Sequence, residues 1–275
     1  MQCISPICLK KGQFVPCGKC NFCLQNRRLD WSFRLSQEAK VSQASHFLTL
    51  TYNDQQIPVD PINGLTQLSK EDVRLFTKRL RWYNSKVRVG TEWPTIRYYT
   101  VGEYGSKTLR PHYHSIMFNL KEEVVNELGN IWGLGTVKVG TVTPASIMYV
   151  GKYHLDKFQE LPGRQKAFAN ISNRSGGIGI NYLNENVWWH LEHQATYCWS
   201  DNKRIPLSRF YREKIFSKGE REYLNIKNAK LALDNYRKTI MELKKVHDYP
   251  EAYLEEQIKY THEFIRTKSK LNDKF

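Results

Sequence analysis

The chain has 275 residues, 40% hydrophobic and 25% charged, enough for one sizeable domain with an appendage. Its formal net charge of +15 and pI near 9.5 favour a polyanionic partner, nucleic acid before an anionic membrane. No apolar run approaches the roughly 18–20 residues of a membrane span, which argues against a helical membrane protein. The start Met1-Gln-Cys-Ile-Ser-Pro lacks the basic and apolar regions of a signal peptide, so a cytoplasmic protein is expected.

Five of the six cysteines, Cys3, Cys8, Cys17, Cys20 and Cys23, fall in the first 23 residues. In a reducing compartment such a cluster predicts metal binding rather than disulfides. Cys17-x-x-Cys20-x-x-Cys23 with Cys3 or Cys8 would complete a four-cysteine zinc site; an iron–sulfur cluster and plain thiols are the alternatives, because the pairs are closer than zinc pairs usually are. From about 22 to 40 the pattern is helical. Residues 46–52, His-Phe-Leu-Thr-Leu-Thr-Tyr, read as a strand. Asn, Asp, Pro and Gly make 53–65 a loop.

Ser69 caps a helix whose apolar stripe is Val73, Leu75, Phe76, Leu80 and Trp82. Residues 95–101 and 111–118 are strands joined by a turn. Residues 121–132 are one helix, 136–143 a strand, and Pro144 begins a further helix. From 46 to 143 the order is therefore β-α-β-β-α-β. This predicts an α+β fold: a split-βαβ, ferredoxin- or RRM-like antiparallel sheet with helices on one side. A Cys-rich leader precedes it and a helical, charged appendage follows. The expected domains are 1–45 (leader and first helix), 46–200 (the sheet domain) and 201–275 (a basic helical appendage).

The run Arg110-Pro-His-Tyr-His-Ser-Ile-Met-Phe118 places His112 and His114 on one face of a strand. Glu103 ends the preceding strand, and the turn between them brings it opposite His112. Glu103, His112 and His114 are the candidate ligands of a divalent cation, Mg²⁺ or Mn²⁺, that would polarise a phosphate. Tyr113, between the histidines, points to the other face and is expected to pack there. Tyr149 and Tyr153, four apart on the helix after Pro144, share a face. With Lys152 between them they are candidates for attack on a phosphodiester through a covalent phosphotyrosine. Arg110, Lys157 and Arg174 would hold the DNA backbone, and Trp188, Trp189 and Trp199 offer rings for unpaired bases or for a core. Taken singly, a His-x-His strand and a tyrosine pair also arise from ordinary burial. Their combination on a basic chain points to metal-assisted strand cleavage.

Three blocks together resemble one family. They are Phe47-Leu-Thr-Leu-Thr-Tyr52, the segment 102–114 from Gly-Glu-Tyr-Gly to Arg-Pro-His-Tyr-His, and Tyr149-Val-Gly-Lys-Tyr153. They look like the motifs of HUH endonucleases, the rolling-circle replication initiators. Val15-Pro-Cys-Gly-Lys-Cys20, the helix over 31–38 and Ser175-Gly-Gly-Ile-Gly179 are similar to the microvirus subgroup called gokushoviruses. The likeness covers about residues 1–190. It implies that His112 and His114 hold the metal, that Tyr149 is the principal nucleophile and that Tyr153 is its partner. It also implies single-stranded DNA at a viral origin as substrate, a host helicase and polymerase as partners, and a bacterial cytoplasm as location. A relaxase or transposase would use the same chemistry. A non-catalytic single-stranded nucleic-acid-binding protein on the same fold would explain the charge but not the paired residues.

Overall fold

The computed structural model describes residues 3, 6–8, 14–87, 92–152, 161–200 and 202–271, with side chains except at 14, 152, 175 and 265–271. In chain order the elements are β1 (Ile7–Cys8), β2 (Phe14–Val15), α1 (Asn21–Val41), β3 (Ser45–Thr51), α2 (Lys70–Lys86), β4 (Arg97–Tyr104), β5 (Pro111–Phe118), α3 (Glu122–Asn126), α4 (Leu128–Trp132), β6 (Val137–Thr141) and α5 (Pro144–Lys152). Then follow β7 (Phe168–Ile171), a 3-10 turn (Arg174–Gly176), α6 (Tyr182–His193), β8 (Tyr197–Ser200), β9 (Lys203–Pro206), α7 (Arg209–Ile215), α8 (Lys218–Leu243) and α9 (Pro250–Leu271). Two compact units divide the chain: Met1–Asp30 with Glu185–Phe275, and Trp31–Asn184.

The second unit is built on a five-stranded sheet in the order β6-β3-β5-β4-β7, with every neighbouring pair antiparallel. Without β7 this is the spatial order 4-1-3-2 of a split-βαβ sheet, as the element order predicts. Strand alternation sorts the side chains to two faces. On one face Leu48, Leu50, Tyr113 and Met117 meet Val73, Phe76 and Leu80 of α2 and Leu128, Ile131 and Trp132 of α4. Burial of each such side chain stabilises the fold by roughly 1.5–3 kcal/mol. On the other face Tyr99, Val101, Ile116 and Phe118 meet Leu35 of α1 with Ile147 and Val150 of α5. The crossover helices thus lie on one side, and the opposite face carries α1 and α5 rather than standing open.

Local chemistry explains the boundaries. Ser69 accepts from the Asp72 backbone N–H (3.0 Å), capping α2. Trp82 is not part of the buried stripe; it is 55% exposed, because it falls two residues after Leu80 and faces away. Asn84, four residues after Leu80, takes the inward position and accepts from Lys121 N (3.0 Å). The expected single helix over 121–132 breaks at Glu127, whose φ of −95° and ψ of 1° leave the helical range. Thr143 and Ser146 cap α5 reciprocally, Thr143 N donating to Ser146 Oγ (2.8 Å) and Ser146 N to Thr143 Oγ1 (3.2 Å). Tyr113 is packing, as its position predicts. It is fully buried and its hydroxyl joins Tyr52 (2.8 Å) and the backbone of Ser69, while burial pushes its phenol up to about 12.

Gly135 lies where the chain enters β6. A Cβ there would fall 2.2 Å from the Thr51 carbonyl oxygen and 2.7 Å from Asn53 N, both backbone atoms of the chain leaving β3. Gly135→Ala is expected to destabilise the protein by roughly 1–3 kcal/mol or more, read as a lower urea midpoint with an unchanged slope.

The first unit holds the β1–β2 ribbon, the β8–β9 hairpin and the helices α7, α8 and α9. The charged tail is helical as expected. Ser217 and Glu220 form a capping box that starts α8. Among the described residues no helix is long and apolar enough to cross a membrane.

Candidate active site

The hairpin of β4 and β5 sets the centre of the site. Gly105 N donates to Arg110 O (3.0 Å) and Leu109 N to Gly105 O (2.9 Å), which closes the turn. The resulting register pairs Glu103 directly with His112. His112 and His114 share the face that α5 covers, and β3 places Thr49 opposite His114 on its other flank. Tyr149 stands on α5, between the buried anchors Ile147 and Val150.

The four side chains converge. Glu103 Oε1 lies 2.7 Å from His112 Nε2 and 3.0 Å from His114 Nε2. The Tyr149 hydroxyl lies 3.3 Å from the same carboxylate oxygen and 3.4 Å from His114 Nε2. Each imidazole is oriented through its other nitrogen: His112 Nδ1 faces the Arg110 carbonyl (3.1 Å) and His114 Nδ1 faces Thr49 Oγ1 (3.1 Å). Phe47 stacks on the His114 ring at 5.6 Å and meets Tyr149 edge-on at 6.4 Å. The donor set fits a divalent cation. One carboxylate oxygen and two Nε2 atoms lie within 4.8 Å of one another, with both Nδ1 atoms held outward in the manner of outer partners that orient ligating histidines.

Burial pushes the His112 pKa down, but the hydrogen bond and charge of Glu103, with the Arg110 carbonyl, outweigh it and the net shift is upward. Both ring nitrogens face acceptors, which is the environment of an imidazolium. A proton and a metal therefore compete for Nε2. Mn²⁺ affinity, measured by calorimetry, is expected to fall about tenfold per unit once the pH drops below that raised value. An affinity flat between pH 5 and 8 would contradict this assignment.

In the first unit Cys3, Cys17, Cys20 and Cys23 also come together, their sulfurs within 4.8 Å of one another. Cys8 is exposed and stands outside the group, so of the two candidates for the fourth place the structure brings in Cys3. Backbone N–H groups of Lys19 and Cys20 lower the Cys17 thiol to about 6.

Residues 45–158 match the model of the replication-associated protein ORF2 family. Over 221 residues the chain is 29% identical to replication-associated protein VP4 of Bdellovibrio phage phiMH2K, covering 72% of this chain and 66% of that one. It is 32% identical over 163 residues to replication-associated protein ORF4 of Chlamydia phage 1, covering 52% of this chain and 38% of that one. It is 26% identical over 244 residues to replication-associated protein ORF2 of Spiroplasma virus 4, covering 79% and 74%. The chain is a relative of viral replication-associated proteins. It spans about two thirds or less of the first two relatives' lengths. Among solved structures, the N-terminal nuclease domain of minute virus of mice non-structural protein-1 overlaps at a TM-score of 0.18 and 10% identity, covering 72% of this chain and 97% of that one, too loosely to bear on fold or chemistry.

Not every candidate of this replication-protein relative joins the cluster. Tyr153 and Lys157 lie outside the described residues, and the backbone of Lys152 ends α5. Arg110 is engaged at the turn: it pairs with Asp54 (2.6 Å) and donates to the Tyr52 carbonyl (2.9 Å). Arg174 is exposed, and its carbonyl accepts from Arg97, six residues along β4 from Glu103 and so roughly 20 Å away along the strand. In the first unit Trp188 and Trp199 are exposed, while Trp189 is half-buried and stacks on His193 at 5.2 Å. Thr49 and Phe47, which orient and cover His114, carry roles that no local pattern announced. Both fall in the Phe-Leu-Thr-Leu-Thr-Tyr block, and their function appears only once β3 pairs with β5.

Proposed function

We propose that this protein is a rolling-circle replication initiator of the HUH, two-tyrosine type. It nicks one strand of viral DNA at the origin, stays joined to the 5′ end through phosphotyrosine, and later rejoins the ends. The observation that carries this reading is the Tyr149 hydroxyl 3.3–3.4 Å from two of the three clustered ligand atoms. A phenol is a poor nucleophile near neutral pH, since its ordinary pKa is about 10. It serves where a covalent intermediate is wanted and the phosphate is activated.

Glu103, His112 and His114 would hold the ion, which when bound supplies Lewis-acid polarisation of the scissile phosphate. Thr49 and the Arg110 carbonyl keep the two rings from turning. Phe47 and His114 fix the Tyr149 ring edge-on, so that the phenol oxygen enters the cleft without further ordering. Its proton is directed at Glu103 Oε1, the nearest acceptor on the chain. Attack forms a bond from the Tyr149 oxygen to phosphorus and breaks the phosphorus–O3′ bond; the 3′ oxygen leaves with a proton as a hydroxyl primer. The phosphotyrosine bond conserves the energy of the broken diester, so rejoining needs no nucleotide cofactor. Tyr153 is the acceptor for the second transfer. Arg110, Lys157, Arg174 and Lys152 contribute positive charge to the substrate path.

The partners under this reading are single-stranded origin DNA, a host helicase and a host polymerase, in the bacterial cytoplasm. The sheet domain over 46–200 carries the chemistry, the leader over 1–45 and the tail over 201–275 flank it, and the ion is Mg²⁺ or Mn²⁺. Incubation with single strands from the origin region plus Mn²⁺, resolved on a denaturing gel, tests it. A nickase gives a shortened strand and a protein band of raised mass. A non-catalytic binder shifts DNA on a native gel and gives neither.

A further inference from the structure

The sulfur cluster of the first unit serves no step of strand transfer. We infer that Cys3, Cys17, Cys20 and Cys23 form a tetrathiolate site for one zinc ion, and that this ion fixes the turn onto which the C-terminal helix α9 docks.

Distance is the first argument. Cys17 and Cys23 sulfurs are 3.9 Å apart, as are those of Cys3 and Cys20. Ligands about 2.3 Å from a tetrahedral zinc lie about 3.8 Å from each other. A disulfide would need about 2.0 Å, and all four thiols are free. A multi-iron cluster sets its cysteines farther apart than these four stand, so a single ion fits the cage.

The backbone is the second. Lys19 N and Cys20 N point at Cys17 Sγ (3.4 and 3.3 Å), and Cys17 N points at Cys3 Sγ (3.3 Å). Such N–H donors offset charge on ligating thiolates. The tight turn that aims them needs a left-handed residue, and Gly18 supplies it at φ +70°. Cys23 lies in the first turn of α1, where the helix dipole also favours negative sulfur. On binding, the thiols give up their protons and the cation takes four Cys–S⁻ ligands.

The third argument says what the ion is for. The two residues between Cys20 and Cys23 hold α9. Asn21 N donates to His262 Nε2 (3.2 Å), Asn21 Nδ2 donates to the His262 carbonyl (3.2 Å), and the Phe22 ring meets the His262 ring edge-on at 5.3 Å. Beyond Leu254, His262 is the one half-buried side chain among the described residues of α9. A leader this short buries too little apolar surface to hold that turn unaided, so a metal is the device that holds it.

The test uses the full-length protein under reducing conditions. Elemental analysis is expected to find one tightly held zinc per chain, present in Cys8→Ser and in a His112→Ala/His114→Ala double variant, and at least 100-fold more weakly held in Cys20→Ser. Co²⁺ exchanged into the unmutated protein is expected to show the sulfur-to-cobalt charge-transfer band of a tetrathiolate, which the Glu103/His112/His114 site cannot produce. Hydrogen exchange around His262 is expected to quicken when zinc is chelated and to slow when it is restored. A zinc content that follows the histidines, a cobalt spectrum without the sulfur band, or an iron chromophore overturns the site. Exchange in α9 indifferent to chelation overturns its docking role.

Discussion

Tyr149→Phe is expected to abolish covalent capture of DNA while leaving the fold intact. The substitution keeps the ring, and with it the edge-on packing against Phe47 and His114. It removes only the oxygen that faces Glu103 and His114. Loss of a nucleophile that acts as part of a unit removes most of the rate enhancement, so the nicking rate should fall by at least ~10³-fold. Metal affinity, read by Mn²⁺ calorimetry, should stay within a few-fold, because the donor atoms of Glu103, His112 and His114 remain. A variant that nicks at the unmutated rate would remove Tyr149 from the chemistry. A variant that lost metal binding along with nicking would make the hydroxyl a structural part of the ion site.

Glu103→Gln tests the other half of the cleft and is nearly isosteric. One oxygen of Glu103 faces both imidazoles and the phenol. Neutralising it removes the only charged donor of the proposed set. Mn²⁺ binding should weaken by at least ~100-fold, beyond the ~10–100-fold that follows loss of an outer partner. In the metal-free protein the same change should lower the His112 pKa, read by NMR. Burial already pushes that pKa down; the Glu103 bond and charge, with the Arg110 carbonyl, raise it. The sign carries over to stability. A histidine whose folded pKa is raised stabilises the fold below its unfolded pKa of about 6.5, and that contribution disappears as pH rises through the folded value. Glu103→Gln should therefore lose stability relative to the unmutated, metal-free protein at pH 5.5 and converge with it above the folded His112 pKa. An unchanged His112 titration would mean that the carboxylate does not face the ring in solution.

Much of this site was legible in the chain itself. Alternation over 46–52 and 111–118, the Ser69 cap and the turn before Arg110 contain enough to order the sheet and to place Glu103 opposite His112. Both signals are local, and the hairpin converts them into a contact. Other parts depend on pairings distant in sequence. Thr49 orients His114 across 65 residues, and nothing in its neighbourhood distinguishes it from Thr51. The short strand β7 and the β8–β9 hairpin, four residues each, are too brief to show a period. Trp82 misled because an aromatic near a stripe reads as buried, whereas Asn84 fills the inward position through its bond to Lys121. Choosing Cys3 over Cys8 needed the fold, since the spacing admits either.

The account stands on Tyr149 sharing one cleft with Glu103 and the two histidines, and one measurement addresses that most directly. Protein would be incubated with origin-region single strands and Mn²⁺, digested with nuclease and protease, and the nucleotide-bearing peptide sequenced by mass spectrometry. The residual nucleotide is predicted on Tyr149, as a phosphodiester to the phenol oxygen, and absent when Glu103 is Gln. A nucleotide carried by a serine, or by a tyrosine distant from the two histidines, would contradict it.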